Sequence, residues 1–438
     1  MGTRGSTRTR NHNPGLAGGG AGGGGRYHRP PVPNLRPPKG TDDVLPPESR
    51  TWRQVLRAWD DWSERFGYEL VMTPLFEATD LFERGVGEST EVVRKQMYTF
   101  EDRGGRSVTL RPEGTASVVR AYLNAGIQGE WKGAYSGPMF RYERPQGGRR
   151  RQFWQTGVEH LGTERPTADA EVIELGYRFL VDLGVPGVEV QINSLGDAVD
   201  RPAYVAELTA YLEARRDQLC ADSIETMAVN PLRVLDCKTC APILGDAPTP
   251  DQHLGTEAAE AYEEVKARLA AADVPFVEAP RLVRGLDYYT RTAFEYVGGE
   301  LDIAQVALGG GGRYDGLAEE IGGRRVPGVG LAMGIDRIIV ALGEAIPAAA
   351  LDGFVVTVAG RNAESAGLVS QLRRAGLRVD AADPERSVKS QFKAADRSGA
   401  PTTIVVGDEW DEGLVRTKRM ADGTETDIEI QELAAWLS

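Results

Sequence analysis

The chain has 438 residues, 41% hydrophobic and 26% charged, enough apolar material for a large core. At roughly 150 residues per domain it predicts about three domain-sized units and excludes both a small single module and wholesale disorder. With 51 Lys and Arg against 64 Asp and Glu the formal net charge is −13, so any nucleic-acid contact is a local patch and not bulk attraction. Three Cys and four scattered His exclude a disulfide framework and predict no dense metal cluster. The chain lacks a long apolar run and an apolar segment behind its basic start, which predicts no membrane span, no secretory signal and a cytoplasmic protein.

Residues 1–40 hold seven Lys or Arg and no acidic residue. Together with the glycine tract at 18–25 and the proline-rich stretch at 30–38, this predicts a disordered basic tail over 1–38. Gly20, Gly22 and Gly25 satisfy G-x-G-x-x-G, but no strand precedes them and no helix follows, so a dinucleotide site is rejected. Order is expected from Lys39. Trp52, Val55, Leu56, Trp59 and Phe66 recur at helical spacing up to Gly67, and Tyr68 to Met72 reads as a strand stopped by Pro74. Further strands are expected at Ser107–Leu110, Ala134–Tyr142, Arg151–Val158 and Val188–Ile192. From Asp197 to Pro280 the pattern is helical, and strand signals return at Tyr289–Val297 and Ile303–Leu308. This order predicts an α+β domain over 39–345, built on a mixed, mainly antiparallel sheet with a helical insertion over about 197–280. After a linker at 346–350, strands at Phe354–Val358, Leu377–Ala381 and Thr403–Val406 alternate with helices at Ser365–Arg374 and Val388–Arg397. That alternation predicts a separate α/β domain over 353–438.

Four segments carry chemistry. In Arg111-Pro112-Glu113-Gly114-Thr115 a carboxylate and a hydroxyl flank a glycine, a spacing that grips an ammonium group from two sides, although Glu and Thr in turns also cap helices. Phe140 to Phe153 reads as two strands joined by a Gly-rich loop with five Arg against one Glu. Such guanidinium forks suit polyphosphate; a solvated basic hairpin is the plainer alternative. Arg284-Gly285-Leu286-Asp287-Tyr288-Tyr289 brings a cation and two phenols to the start of a strand, where neighbouring side chains face opposite ways. Gly309 to Gly312, and then Gly328 to Arg337, bring backbone close to a flat ligand and leave Arg337 in the first turn of a helix. A cation is unfavourable there unless an anion shares the site, the alternative being an exposed Arg with no role.

The ensemble resembles the class II aminoacyl-tRNA synthetases, and within them the histidyl-tRNA synthetases, over about 400 residues from Lys39-Gly40-Thr41-Asp42-Asp43 onward. The helix, strand and Pro74 are similar to the family's first motif, Phe140–Glu159 to the second and Gly328–Arg337 to the third; Arg284–Tyr289 is the histidine-specific signature. The resemblance implies that Glu113 and Thr115, with Gly114 and Gln155, hold the α-amino group of histidine, and that Glu159 and Tyr289, with Tyr288, read its imidazole. It further implies that Arg141 binds the α-phosphate of ATP, that Arg149 and Arg337 bind the outer phosphates or the adenine face beside Gln152 and Phe153, and that Arg284 is the second catalytic cation with Arg141. The implied reaction forms histidyl-adenylate with Mg²⁺ on the phosphates and transfers histidine to the 3′ end of tRNA(His), in a homodimer. Ser390 to Ala395 and Gly399-Ala400 are similar to the family's anticodon-binding module. His160 is expected to pack or face solvent. Cys237-Lys238-Thr239-Cys240 has only Cys220 and His253 as further candidate ligands, so these are expected to be ordinary thiols with no metal on protein side chains. The rival resemblance is the synthetase-like regulatory subunit of ATP phosphoribosyltransferase, which binds histidine as a signal and lacks the C-terminal domain. Another class II synthetase would share that domain but not Arg284–Tyr289.

Overall fold

Helix α1 spans Glu48–Arg65 because its apolar stripe repeats at helical spacing, and Gly67 ends it with φ of 75°. Val55 and Trp59 are buried in the main core, where the Trp59 ring meets Phe179 edge-on at 5.2 Å. The computed structural model describes residues 35–87, 90, 92–145, 149–282, 288–298, 307–343 and 351–438. The tail at 1–34, the 283–287 stretch with Arg284, the first residues of the strand expected at Ile303 and the linker at 346–350 lie outside the described residues. Lys39–Ser438 form one compact unit.

After α1 come β1 (Glu69–Leu70), β2 (Phe76–Ala78), α2 (Thr79–Val86), β3 (Tyr98–Glu101), β4 (Ser107–Leu110), α3 (Thr115–Asn124), β5 (Trp131–Phe140), β6 (Gln152–Leu161), α4 (Pro166–Asp182) and β7 (Glu189–Ser194). Next are α5 (Arg201–Glu213), α6 (Ala221–Val229), α7 (Thr256–Ala271), β8 (Phe276–Glu278), β9 (Thr290–Val297), β10 (Ala307–Arg313), α8 (Leu317–Glu320), β11 (Gly328–Gly334) and α9 (Ile335–Leu342). Eight strands form one sheet in the order β1-β5-β6-β11-β10-β9-β7-β8. Only β1 with β5 and β8 with β7 pair in parallel; the remaining neighbours are antiparallel, so the sheet is mixed and mainly antiparallel as expected. The core lies between this sheet and α1, α4, α7 and α9, with Ile173, Phe179, Val190, Phe294, Leu331 and Ile338 inside it.

The expected insertion over 197–280 is shorter in the structure. Tyr262, Val265 and Leu269 of α7 belong to the main core, and β8 extends the sheet beside β7. A smaller core around Tyr204, Leu208, Leu212, Met227, Val234 and Leu244 belongs to the insertion. Helical periodicity marks an apolar face but not the core it enters. The glycines at 309–312, expected to bring backbone close to a ligand, form most of β10, held on both sides by β9 and β11. Arg313 at the end of β10 is 1% exposed; its Nε donates to Asp169 Oδ1 of α4 at 3.2 Å and its Nη1 to the Thr163 carbonyl at 2.8 Å.

The C-terminal region holds β12 (Gly353–Thr357), α10 (Asn362–Arg374), β13 (Val379–Ala381), α11 (Val388–Ser398), β14 (Thr402–Val406), β15 (Leu414–Arg419), β16 (Glu425–Glu429) and α12 (Leu433–Leu437). Its sheet runs β13-β12-β14-β15-β16. Alternation along β12 sends Val355 to one apolar cluster and Phe354 and Val356 to another. Gln391 of α11 accepts from the Thr357 amide at 2.8 Å and donates to its carbonyl at 2.9 Å, which ties the helix to the end of β12.

Candidate active site

The face of β6, β10 and β11 toward the start of α3 floors a cleft of about 900 Å³. The long hairpin of β5 and β6, whose last pair is Phe140–Gln152, brings Arg141, Arg149 and Arg150 to one wall. Cys237 and residues of α6, including Asp222 and Glu225, form part of the lining. Of the residues expected from sequence, Glu113, Thr115, Arg141, Arg149, Phe153, Gln155, Tyr288, Tyr289 and Arg337 line this one cleft.

One end is acidic and aromatic. The Glu113 carboxylate accepts the backbone N–H groups of Thr115 at 2.6 Å and Ala116 at 3.0 Å, so it caps α3 and faces the cleft at once. Of the two alternatives in the sequence the capping one is seen, and it leaves the carboxylate in the cleft lining. Burial pushes Glu113 above the ordinary carboxylate range against these bonds and nearby Arg141. Gln155 is 8% exposed and its Oε1 is buried with no hydrogen-bond partner, an acceptor that suits an incoming ammonium. Glu159 is fully buried; its Oε1 accepts the Thr115 hydroxyl at 2.7 Å and its Oε2 accepts the Tyr314 hydroxyl. Desolvation raises Glu159 to about 8 although both hydroxyls oppose the shift. The ring of Tyr288 packs on Tyr289 at 4.6 Å and on Tyr314 at 5.6 Å. Across the ladder from Glu159 stands Gly330, where a Cβ would overlap the carboxylate.

Tyr314 lies in a segment singled out in the sequence but was given no role there. The signal for it is the alternation that continues from Gly310 through Gly312. Among the described residues three expected ones stand outside the cleft lining; Glu159 is one, bonded to Thr115 and Tyr314, which do line it. Gln152 is exposed and outside the cleft lining, because period-two alternation sends it with Trp154 to the face opposite Phe153 and Gln155. Gly114 supplies no lining; it gives room to the Tyr135 ring, which a Cβ there would strike. His160 packs as expected, 2% exposed and 2.8 Å from Glu130.

The other end is cationic. Arg141 donates through Nε to the Pro112 carbonyl at 2.8 Å, which seats it beside Glu113, and its guanidinium lies over the Phe153 ring at 5.4 Å. Arg337 donates to the Ala307 carbonyl at 2.7 Å. Burial holds its guanidinium below the ordinary value, and repulsion from Arg149 and Arg141 lowers it further. Three mutually repelling guanidinium groups at the start of α9 form a site that a polyanion stabilises. Asp336 braces it: Oδ2 accepts the Trp154 amide at 2.8 Å and Oδ1 lies 3.4 Å from Arg150. Glu143 and Glu295 also line the cleft and act on Arg337 in the opposite sense to the two Arg.

Comparison with known proteins agrees with this geometry. The family model for histidyl-tRNA synthetase matches residues 40–338, and that for an anticodon binding domain matches residues 353–438. The histidine–tRNA ligase of Halalkalibacterium halodurans is 47% identical, covering 91% of this chain and 96% of that protein. The crystal structure of the apo histidyl-tRNA synthetase of S. aureus superposes with a TM-score of 0.74 at 37% identity, over 92% of this chain and 99% of that one. A Bacillus halodurans structure described as an ATP phosphoribosyltransferase regulatory subunit/histidyl-tRNA synthetase shares the fold at a TM-score of 0.62 and 22% identity, covering 82% and 96% of the two chains.

Proposed function

The chain belongs to the histidyl-tRNA synthetase family, the histidine–tRNA ligases, and from that premise we propose how its residues divide the reaction of histidine, ATP and tRNA. The observation that carries the reading is the junction in one cleft of a buried acid and an orphaned amide acceptor with an arginine cluster in which Arg149 and Arg141 repel Arg337. Glu113 and Gln155 receive the α-ammonium group of histidine. Glu159, braced by Thr115 and Tyr314, receives the imidazole beside Tyr288 and Tyr289. A pocket that pairs both ring nitrogens leaves its own polar groups unsatisfied with an isostere lacking them, worth about 10⁴ to 10⁵ in selectivity.

Arg141, Arg149 and Arg337 hold the phosphates of ATP, with Phe153 beside them. The histidine carboxylate then attacks the α-phosphorus, pyrophosphate leaves, and histidyl-adenylate forms. Arg284 and Arg141 stabilise the charge that grows on the α-phosphate, and no protein nucleophile is required. Glu143 and Glu295 beside Arg337 are oxygen donors of the type that suits Mg²⁺, which would supply charge neutralisation on the outer phosphates. The 3′-terminal ribose of tRNA(His) then takes the histidyl group. Residues 39–345 act as the catalytic body and 353–438 as the anticodon-binding domain. Leu70, Met72, Leu75 and Phe76 form an exposed apolar run that supports a homodimer, and the translation role places the protein in the cytoplasm.

The test is amino-acid-dependent ATP–pyrophosphate exchange with all twenty amino acids, with magnesium and without tRNA. Exchange with histidine alone is expected. Histidine binding without exchange would instead mark a histidine-sensing protein of the regulatory type.

A further inference from the structure

We propose that Cys220, Cys237 and Cys240 form a zinc site in the helical insertion, three thiolate ligands with water as the fourth. These are all the cysteines of the chain, and their sulfur atoms lie within 4.8 Å of one another. The sequence offered Cys220 and His253 as further candidates for the C-x-x-C pair and expected ordinary thiols; folding brings in Cys220 and leaves out His253, which instead pairs with Glu207 at 2.7 Å. The Cys220 and Cys237 sulfurs are 3.7 Å apart. Tetrahedral zinc with Zn–S bonds of about 2.3 Å sets S···S edges at about 3.8 Å, whereas a disulfide needs about 2.05 Å. The Cys220–Cys237 spacing fits two ligands of one ion and excludes a disulfide between them in this structure.

Local backbone builds the cluster. Cys220 precedes the first turn of α6, and Cys237 follows the 3₁₀ turn Pro231–Asp236. The Cys240 amide returns to the Cys237 carbonyl at 3.1 Å to make the knuckle that brings a C-x-x-C pair together. The Cys220 amide donates to Cys240 Sγ at 3.3 Å. The Ser223 hydroxyl lies 3.2 Å from Cys220 Sγ and 3.3 Å from Cys240 Sγ. Such bonds orient metal-bound sulfur and stabilise its charge. Zinc binding by the three thiolates releases their protons to solvent.

Soft sulfur donors select zinc over the hard cations that oxygen ligands hold. Among the described residues no further His, Cys, Asp or Glu joins the set. Cys237 also lines the catalytic cleft, from which water reaches the fourth position. The ion would staple an insertion whose own core is small, and so hold Asp222, Glu225 and Arg233 along the cleft.

The test uses the full chain, purified without a metal-binding tag and analysed for metal by mass spectrometry. About one zinc per chain is expected. Replacement by Co²⁺ should give tetrahedral ligand-field bands with thiolate-to-cobalt charge transfer of three-sulfur intensity. Cys220→Ser, Cys237→Ser and Cys240→Ser should each lose stoichiometric zinc, while Ser223→Ala should keep it with affinity lowered about 10- to 100-fold. The proposal is overturned if the wild-type chain, active in histidine-dependent exchange, contains only a small fraction of an equivalent of zinc and shows three thiols whose reaction with Ellman's reagent added Zn²⁺ does not slow. Isolation of a Cys220–Cys237 disulfide from the same chain, or cobalt binding without the charge-transfer band, overturns it equally. Because metal content is read separately from exchange, failure here leaves the enzymatic reading standing.

Discussion

The two ends of the cleft are built on opposite principles. At the acidic end the charged groups are already engaged by the protein: Glu113 by two helix amides, Glu159 by two hydroxyls. At the cationic end Arg337 is held at a cost, with burial and two neighbouring guanidinium groups all acting against its charge. A preorganised pocket discriminates because its few open valences accept one pattern of donors. A frustrated cluster instead gains most from any ligand that brings negative charge. On the proposed function the acidic end sets identity, and the cationic end supplies electrostatic drive to the chemistry.

The contrast is open to attack, beginning where the largest effect is expected. Arg337→Met should lower histidine-dependent pyrophosphate exchange by about 10² to 10³ while leaving histidine affinity within a few-fold by calorimetry. Comparable losses in both would show that the two ends are not separate. Glu159→Gln, nearly isosteric, should weaken histidine binding by about 10², the scale of a charged hydrogen bond lost in a buried site. The same change should raise the melting temperature of the ligand-free protein. The sign follows from linkage: with Glu159 raised from 4.5 to about 8, the folded state binds a proton that the unfolded chain lacks, so stability falls as pH rises through that window. An unchanged or lowered melting temperature would mean the carboxyl is not held at a cost.

A pH titration sharpens the comparison further. Free imidazole titrates near about 6.5 and Glu159 near about 8. Between those values the carboxylic acid and the neutral ring together bring the one proton that a buried pair shares. Histidine affinity should be greatest in that interval and fall by up to about tenfold per pH unit above it; Glu159→Gln should flatten the upper limb, and an unchanged limb would assign it to another group. The smallest effect expected is from salt. Raising ionic strength from about 0.1 to about 1 M, where the Debye length falls from about 10 to about 3 Å, should increase KM for ATP several-fold and leave KM for histidine nearly constant.

Much of this site was legible through the family resemblance, and strand alternation explains how its residues come to share a face. Phe153, Gln155 and Glu159 entered the site through the family resemblance; in the structure these odd positions of β6 share a face, and the same rule, not applied to Gln152, would have set it apart. Glu113 was legible from its spacing to Thr115, although α3, whose start it caps, was not read as a helix. Longer-range pairing left no local trace. Nothing near Glu159 in the sequence announces that Tyr314 completes it, because the contact is made across the sheet. The convergence of Cys220 on Cys237 and Cys240 likewise depends on how α6 packs against a 3₁₀ turn. The insertion was overdrawn for a related reason: α7 has a good apolar face, and only the tertiary structure shows that the face enters the main core.

One consequence lies in the double duty of Glu113. Its carboxylate is the cap of the first turn of α3 and a wall of the cleft, so occupancy of the cleft and fraying of that helix end are thermodynamically linked. An ammonium group that draws the carboxylate toward the cleft loosens the turn, and one that fixes the carboxylate in place tightens it. The Thr115 and Ala116 amides are thus built-in reporters, and their hydrogen-exchange rates with and without histidine would register binding through the backbone, with no reaction needed.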